Sequence, residues 1–515
     1  MTTRNKLKNI AALSFILTAI PVVSAQPVEE SSIPLPSAEQ RTYLESREGS
    51  GTRGPSPVVS TTVEISKVPP DSIFFDEIKS GKAIHQPLQS ANELLILLDP
   101  KLTGKEIRAT LDVHQLDVIN SIPQIGAIVV DASRRLGAAA VTSSTSSLSK
   151  MKDAPLDVLA RDLAKDARFL SVTPNSLISS FALKSAVTPT FALPTPDMAT
   201  ERVDWGIMDS RFDKVWPLMT APFVVGVIDS GFAPHEDLDT RAGLSGALKP
   251  IDHGNHVSGI MCAKHNGIGI KGGLKSCTVV QASASTMLTG GAAPEGGRTS
   301  RFVTHFSEYV GTVLDFMEAN PTVRVINISL GYNWMPNFNI DPRTQGSEQI
   351  RDVVKNQGRI FASVLAYAKR RDIALVMAAG NDSSALNQPL EAQWASPFNY
   401  GAMLMAEKDG WANALIVQAH GPDNRRAAFS NISGDVSCPG VDVLSTLASG
   451  TGEYGELTGT SMASPYCAAG LVAVLGLRPE LKLREAIACI KGGSEKIDGS
   501  VAKLNVQHAV SECKK

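Results

Sequence analysis

Apolar positions along the chain fall into two kinds of run. Val224-Val225-Gly226-Val227-Ile228 and Ala374-Leu375-Val376-Met377 are short, continuous and bounded by turn residues, which predicts strands buried on both faces of a parallel sheet. The longer run from Ala468 through Leu477 is almost wholly apolar and predicts a buried helix. Upstream, Leu94-Leu95-Ile96-Leu97-Leu98, Ile128-Val129-Val130 and Phe169-Leu170-Ser171-Val172 predict three more strands. Between them, Thr103 and Glu106 form a capping box before a helix carrying Ile107 and Leu111. Asp153 caps another helix, with Pro155 in its first turn and Leu156, Leu159 and Leu163 on one face. Strand, helix, strand, helix, strand makes a small α+β domain over residues 89–183.

The flanking segments have other patterns. Residues 26–88 are rich in Pro, Ser and charge, with little periodicity, and predict mostly irregular chain. Residues 184–200, with Pro189, Pro194 and Pro196, predict an exposed linker that is a natural maturation site. At the start, Arg4, Lys6 and Lys8 precede the apolar run Ile10 to Val23, which ends in Val23-Ser24-Ala25. That is the pattern of a secretory signal over residues 1–25, cleaved before Gln26; a retained membrane anchor is the alternative, though Thr18 and Pro21 interrupt the run. No later stretch is expected to be long enough to span a bilayer. Residues 201–515 then form the larger α/β domain.

Composition narrows this picture. With 515 residues, 43% of them hydrophobic, the chain can bury at least one large core. A net charge of −2 with mixed signs gives no electrostatic reason to invoke nucleic acid or an anionic membrane. The six cysteines, Cys262, Cys277, Cys438, Cys467, Cys489 and Cys513, all lie beyond residue 200, which fits export to an oxidising compartment. Many pairings remain open; short separations alone favour Cys262 with Cys277 and Cys489 with Cys513. Cys467, on the buried helix, reads as an inert small hydrophobe.

Candidate chemistry sits where these elements end. Gly459-Thr460-Ser461-Met462-Ala463-Ser464-Pro465 sets a serine between small residues at the entrance to the apolar helix. The positive end of that helix favours the negative charge that forms when a hydroxyl attacks a carbonyl. Pro465 suits a first helical turn, where a missing N–H costs nothing. A serine needs a base, and the base needs a third group to orient it. Asp229 ends the strand at Val224 to Ile228, at the carboxyl edge where functional groups of open α/β sheets collect. His253 opens a run of small and apolar residues that predicts a helix, an end that tends to keep an imidazole neutral. His253 and His256 are three apart without the glutamate of a zinc-protease motif, so His256 reads as structural and no metal is assigned. Asn381, after Ala378-Ala379-Gly380, can donate to an oxyanion alongside the Ser461 N–H, or be an ordinary turn asparagine.

In residue type and in order, four segments resemble the subtilisin-like serine proteases, or subtilases. They are Val225 to Gly231 around Asp229, His253 to Gly259, Ala378 to Asn381, and Gly459 to Pro465. The order Asp, His, Ser sets this family apart from other triad hydrolases. Weaker matches extend from Glu201 to Ala509: Trp205-Gly206-Ile207 with Val215-Trp216, Val325 to Gly331, and Arg426 to Ser430. The resemblance implies a doubly wound, mostly parallel sheet flanked by helices, with Asp229, His253 and Ser461 as catalytic residues and Asn381 in the oxyanion hole. It also implies that substrate lies extended against an edge strand at Ser329-Leu330-Gly331, with Ala378-Ala379-Gly380 flanking the first pocket. Asn255, Ser258 and Tyr466-Cys467 depart from the usual Thr, Ala and His-Val, and Ser283 to Arg301 reads as a loopy insertion.

The implied function is a secreted or periplasmic serine endopeptidase, the expected partners being peptide or protein substrate and its own α+β prodomain as inhibitor and chaperone. Nucleic acid and, after signal cleavage, membrane are not expected partners, and a monomer is expected. No cofactor is implied; structural calcium is not readable because no acid-rich loop stands out. The competing reading is a catalytically silent exported binding protein that keeps the fold as a scaffold, with the α+β domain retained as an accessory.

Overall fold

Leu94 to Leu98 are apolar at five successive positions because the strand they form is covered on both sides. The computed structural model describes residues 30–46, 89–137, 155–179, 201–245, 252–284, 287–289, 301–338, 340–493, 495–497 and 501–513. In it that strand is β1 (Gln89–Leu98), which pairs antiparallel with β3 (Ala127–Asp131) and β4 (Phe169–Ser179), while β2 (Asp117–Ile122) pairs with β3. Helices α1 (Ala38–Glu45), α2 (Gly104–His114) and α3 (Pro155–Leu163) contribute Leu44, Ile107, Leu111, Leu156, Leu159 and Leu163 to a core shared with Leu94, Ile96 and Leu98. The capping box forms in both directions: Glu106 N donates to Thr103 Oγ1 at 3.3 Å, and Thr103 N to Glu106 Oε2 at 2.8 Å.

Helix α1 is one ordered element within residues 26–88, which the sequence predicts to be mostly irregular. Its sequence is too short and polar to stand out by periodicity, and docking stabilises it. Ser37 caps it by accepting from Gln40 N at 3.1 Å, Gln40 Nε2 donates to Asp99 O at 2.9 Å, and Leu44 is buried. Ahead of it, Ser32 donates from N and Oγ to Asp409 Oδ1 at 2.9 and 2.5 Å. The signal segment 1–25, the Asp153 cap and the linker 184–200 lie outside the described residues.

The second sheet contains β5 (Phe223–Asp229), β6 (Thr240–Ala242), β7 (Cys277–Ser283), β10 (Val325–Ile328), β11 (Ala374–Ala378), β12 (Ala414–His420) and β13 (Val436–Pro439). The intervening β8 (Met287–Thr289) and β9 (Arg301–His305) join the first sheet. The order of the second is β13-β12-β11-β10-β5-β7-β6, every neighbouring pair parallel. Side chains alternate between two cores: Val225 and Val227 enter one, Ile228 the other. Helices α4 (Asp252–Cys262) and α8 (Thr460–Leu477) fill the first core; α5 (Phe306–Ala319), α6 (Glu348–Arg370) and α7 (Pro397–Asp409) fill the second. This is the expected doubly wound α/β architecture. The chain leaves β5 toward β6 and β7, then returns past it to β10, so a topological switch point lies between β5 and β10.

The two sheets are not independent. Leu95, Leu97, Ala127 and Val129, on the inner face of the first sheet, share a core with Tyr309 and Val313 of α5 and Phe361 of α6. Strand β4 continues into antiparallel pairing with β9, with Leu177 opposite His305 and Ser179 opposite Val303. Across the same boundary Gln357 Nε2 donates to Ser176 Oγ at 2.5 Å and Tyr332 OH to Gln357 Oε1 at 2.7 Å. The insertion Ser283 to Arg301 is therefore not wholly loop. Its ends are strands because β4 supplies an edge for β9, which β8 extends.

Cys262 pairs with Cys277, joining α4 to β7, and Cys489 pairs with Cys513; Cys438 and Cys467 are free and buried. One expectation needs correction. Helix α8 is 18 residues long and apolar enough to cross a membrane, the single such helix among the described residues, but 89% of it is buried inside the fold, as a core helix must be.

Candidate active site

Asp229 is the last residue of β5 and is fully buried. Its Oδ1 accepts from Ser230 N at 2.6 Å, from Ser230 Oγ at 2.9 Å and from His253 Nδ1 at 2.8 Å. Three donors on one oxygen fix the direction of the carboxylate. His253 is the second residue of α4, and with Nδ1 committed to Asp229 its other nitrogen, Nε2, is buried without a hydrogen-bond partner among the described residues. Burial, the largest influence, pushes the His253 pKa down; the charge and the hydrogen bond of Asp229 outweigh it, so the net direction is up from the ordinary 6.5. The helix end, which favours the neutral ring, is outweighed by the carboxylate.

His256, three residues on, has a different task. Its Nε2 lies 2.9 Å from Val443 O and 3.1 Å from Gly455 O, tying α4 to the hairpin β14 (Val443–Thr446) and β15 (Tyr454–Leu457). Burial, with the neighbouring His253, pushes its pKa down to about 3, so it stays neutral. Among the described residues no group of three metal-ligating side chains occurs.

Ser461 is the second residue of α8, where no carbonyl four residues back is available to its N–H. Gly459 precedes the helix at φ 157° and ψ 165°, a region essentially restricted to glycine. Pro465 lies in the second turn, not the first as the sequence suggested. Lacking an N–H, it leaves the Ser461 carbonyl without its helical donor. Ser329 compensates: its Oγ donates to Ser461 O at 3.0 Å, and Ser461 Oγ donates back to Ser329 O at 3.3 Å. The serine is thus tied to the chain leaving β10. Ser329, Leu330 and Gly331 are buried beyond that strand's end, and β10 itself is interior, between β5 and β11, rather than an edge. Continuation of β10 past its last ladder pair looks like an edge in sequence, where neighbours are invisible.

Asn381 follows β11 in a loop whose Gly380 has φ +99°. Its Oδ1 accepts from Thr460 N and Thr460 Oγ1, both at 2.9 Å, and its N–H donates to Asn333 Oδ1 at 3.0 Å. With Oδ1 fixed against α8, Nδ2 is left as the donor aimed elsewhere, and no described residue accepts from it. Thr460 Oγ1 also accepts from Gly380 N at 3.1 Å. Ala378, Ala379 and Gly380 are buried beside it. Sequence reasoning quoted Thr460 within the serine segment but gave it no role; its position one residue before the nucleophile candidate was the available signal.

The departures from the usual pattern all have work to do. Asn255 Oδ1 accepts from Ala233 N at 2.9 Å, and its Nδ2 donates to Ala233 O and Leu447 O at 3.0 and 3.2 Å. Ser258 Oγ donates to Gly254 O at 2.7 Å. Tyr466 OH donates to the buried Asp204 Oδ1, fastening the turn at Trp205 against α8. Cys467 is buried, as expected.

A sequence profile described as the Subtilase family matches residues 221–492. The minor extracellular protease Epr of Bacillus subtilis (strain 168) is 24% identical over 408 residues, covering 77% of this chain and 50% of that protein. Subtilisin NAT of Bacillus subtilis subsp. natto is 29% identical over 265 residues, covering 50% of this chain and 56% of its own. The chain thus spans about half the length of these relatives. Among solved structures, fervidolysin from Fervidobacterium pennivorans, a keratinolytic enzyme related to subtilisin, superposes with a TM-score of 0.50 at 17% identity, over 83% of this chain and 63% of that one, a likeness of fold.

Proposed function

Since the chain belongs to the subtilase family, we propose that it is an exported serine endopeptidase made as a zymogen. The observation that carries this is the Asp229–His253 hydrogen bond at the sheet's switch point, with a buried, unpartnered Nε2, while Ser461 opens the apolar helix packed against α4. In the reaction, Ser461 Oγ gives up its bond to Ser329 O and attacks the peptide carbonyl as His253 Nε2 takes the proton. His253 then passes that proton to the leaving amine, and water repeats the sequence to release the acyl group. Asp229 holds the imidazole and stabilises its cation. The Ser461 N–H and Asn381 Nδ2 receive the oxyanion.

The α+β unit acts as the inhibitor. Its strand β4 occupies the edge of β9 in antiparallel register, the pairing by which an extended peptide is held, so release of β4 frees a main-chain ladder for substrate. Segments Ser329 to Gly331 and Ala378 to Gly380 complete the cleft beyond it. Export accords with the extracellular relative and with two disulfides.

Fluorophosphonate labelling of the purified chain tests the reading. Labelling that vanishes in Ser461→Ala supports an enzyme; a folded, processed wild-type chain that takes no label supports the scaffold alternative. Self-maturation adds a second readout, because Ser461→Ala should then accumulate as the uncut precursor.

The working base is neutral imidazole, so kcat/KM should rise with pH through an inflection above 6.5, since Asp229 raises the His253 pKa. In Asp229→Asn burial remains while the charge is gone, and the residual activity should titrate below the wild-type inflection. An unmoved or higher inflection would contradict the assignment.

A further inference from the structure

The loop carrying Asn381 has to hold one amide in a fixed direction without a helix or strand of its own. Ala379, Asn381, Asp382 and Ser383 are all buried, so each of their polar groups needs a partner. Several find the same one. Asn431, fully buried and fifty residues further along, donates from its N–H to Gly380 O at 3.1 Å and from Nδ2 to Ala379 O at 3.0 Å and Asp382 Oδ2 at 2.7 Å. Its Oδ1 accepts from Asp382 N at 3.1 Å and Ser383 Oγ at 2.9 Å. Both N–H bonds and both lone pairs of the side-chain amide are spent on this loop. Asp382 passes the tie onward, its Oδ1 accepting from Met335 N at 3.0 Å in the segment whose Asn333 receives the Asn381 N–H. Space is equally committed, because a Cβ on Gly380 would stand 2.5 Å from Asn431 Nδ2.

We propose that Asn431, acting with Asp382, is a positioning residue for the oxyanion donor and for the pocket wall at Ala379 and Gly380. It touches no substrate. It sets where Asn381 Nδ2 points by bonding the backbone on both sides of it, while Thr460 fixes the Asn381 carbonyl. This rests on the proposed protease reading and adds to it a residue no motif identifies. The buried carboxylate and amide work as a matched pair: the amide at 431 donates a hydrogen bond to the Asp382 carboxylate and accepts one from the Asp382 N–H.

The test is steady-state kinetics on the full chain, with the rate of fluorophosphonate labelling measured alongside. Asn431→Asp keeps size but turns two donors into acceptors facing Ala379 O and the Asp382 carboxylate. A kcat loss on the order of 10²-fold is expected, the scale of losing one oxyanion donor, with KM within about threefold and labelling slowed in parallel. The reversed pair, Asp382→Asn with Asn431→Asp, restores an amide-to-carboxylate bond and should recover about tenfold or more of that loss. It also serves if the single variant does not fold. Folded variants with wild-type kcat, a loss confined to KM, or a reversed pair that recovers nothing would overturn the proposal. A wild-type chain that takes no label overturns the enzyme reading itself, which is a different result from an active wild type indifferent to position 431.

Discussion

Replacing Ser461 by alanine is expected to lower kcat about 10⁶-fold, and replacing His253 by alanine as much, with no further loss when both are changed. That magnitude was measured in a subtilisin. The non-additivity is the sharper test. In the proposed mechanism Ser461 supplies the attacking oxygen and His253 takes its proton, so neither acts without the other. The geometry gives a reason for the totality of the loss: His253 Nε2, opposite the bond to Asp229, is buried with no hydrogen-bond partner among the described residues and is the nitrogen left to take a proton. Asp229→Asn should cost less, about 10⁴-fold, because the ring loses its orienting charge but keeps its nitrogen. Turnover of a peptide amide reads all three, with variants that do not mature themselves first cut in trans and the added protease removed. Single variants whose losses multiply in the double variant would mean that the two side chains do not act as one unit.

Asn381→Asp is expected to cost roughly 10²–10³-fold in kcat with little change in KM. The substitution is nearly isosteric and leaves an oxygen for Thr460 N and Oγ1, both 2.9 Å away in the wild type, so the loop stays anchored. What changes is the other arm of the side chain, where a donor becomes an oxygen beside a developing negative charge. Because that charge exists only on the way to the tetrahedral intermediate, the penalty falls on kcat. Equal loss through KM would indicate that Nδ2 holds the ground-state substrate instead.

What was legible in the sequence follows a physical division. Asp229 stands at the end of a β-branched run, His253 and Ser461 at the starts of apolar helices, and Asn381 after a buried strand; each position is announced by its own neighbours within a few residues. The parallel sheet was legible for the same reason, since strands buried on both faces carry no polar alternation. Partners across the chain left no such trace. Asn431 is a common residue in an ordinary turn until it is seen spanning the loop from Ala379 to Ser383. Ser329 and Pro465 make sense only together, one supplying the donor the other removes. Helix α1 lacked the apolar stripe that periodicity detects, and the pairing of β4 with β9 joins segments more than a hundred residues apart. Pairings of that kind are set by which edges remain open after everything else has folded.

Helix α8 lies against β5, β10, β11, β12 and β13 at once, and it follows all of them in the chain. Synthesis runs from the N-terminus at about 5–20 residues per second, so the acid, the base and the amide emerge well before the alcohol. Until the ribosome has passed Leu477, five strands lack their covering helix. On the proposed mechanism, translation order leaves every incomplete chain without its nucleophile. The same arrangement makes assembly slow, because contacts so distant along the polypeptide are the last to be paid back in a folding reaction.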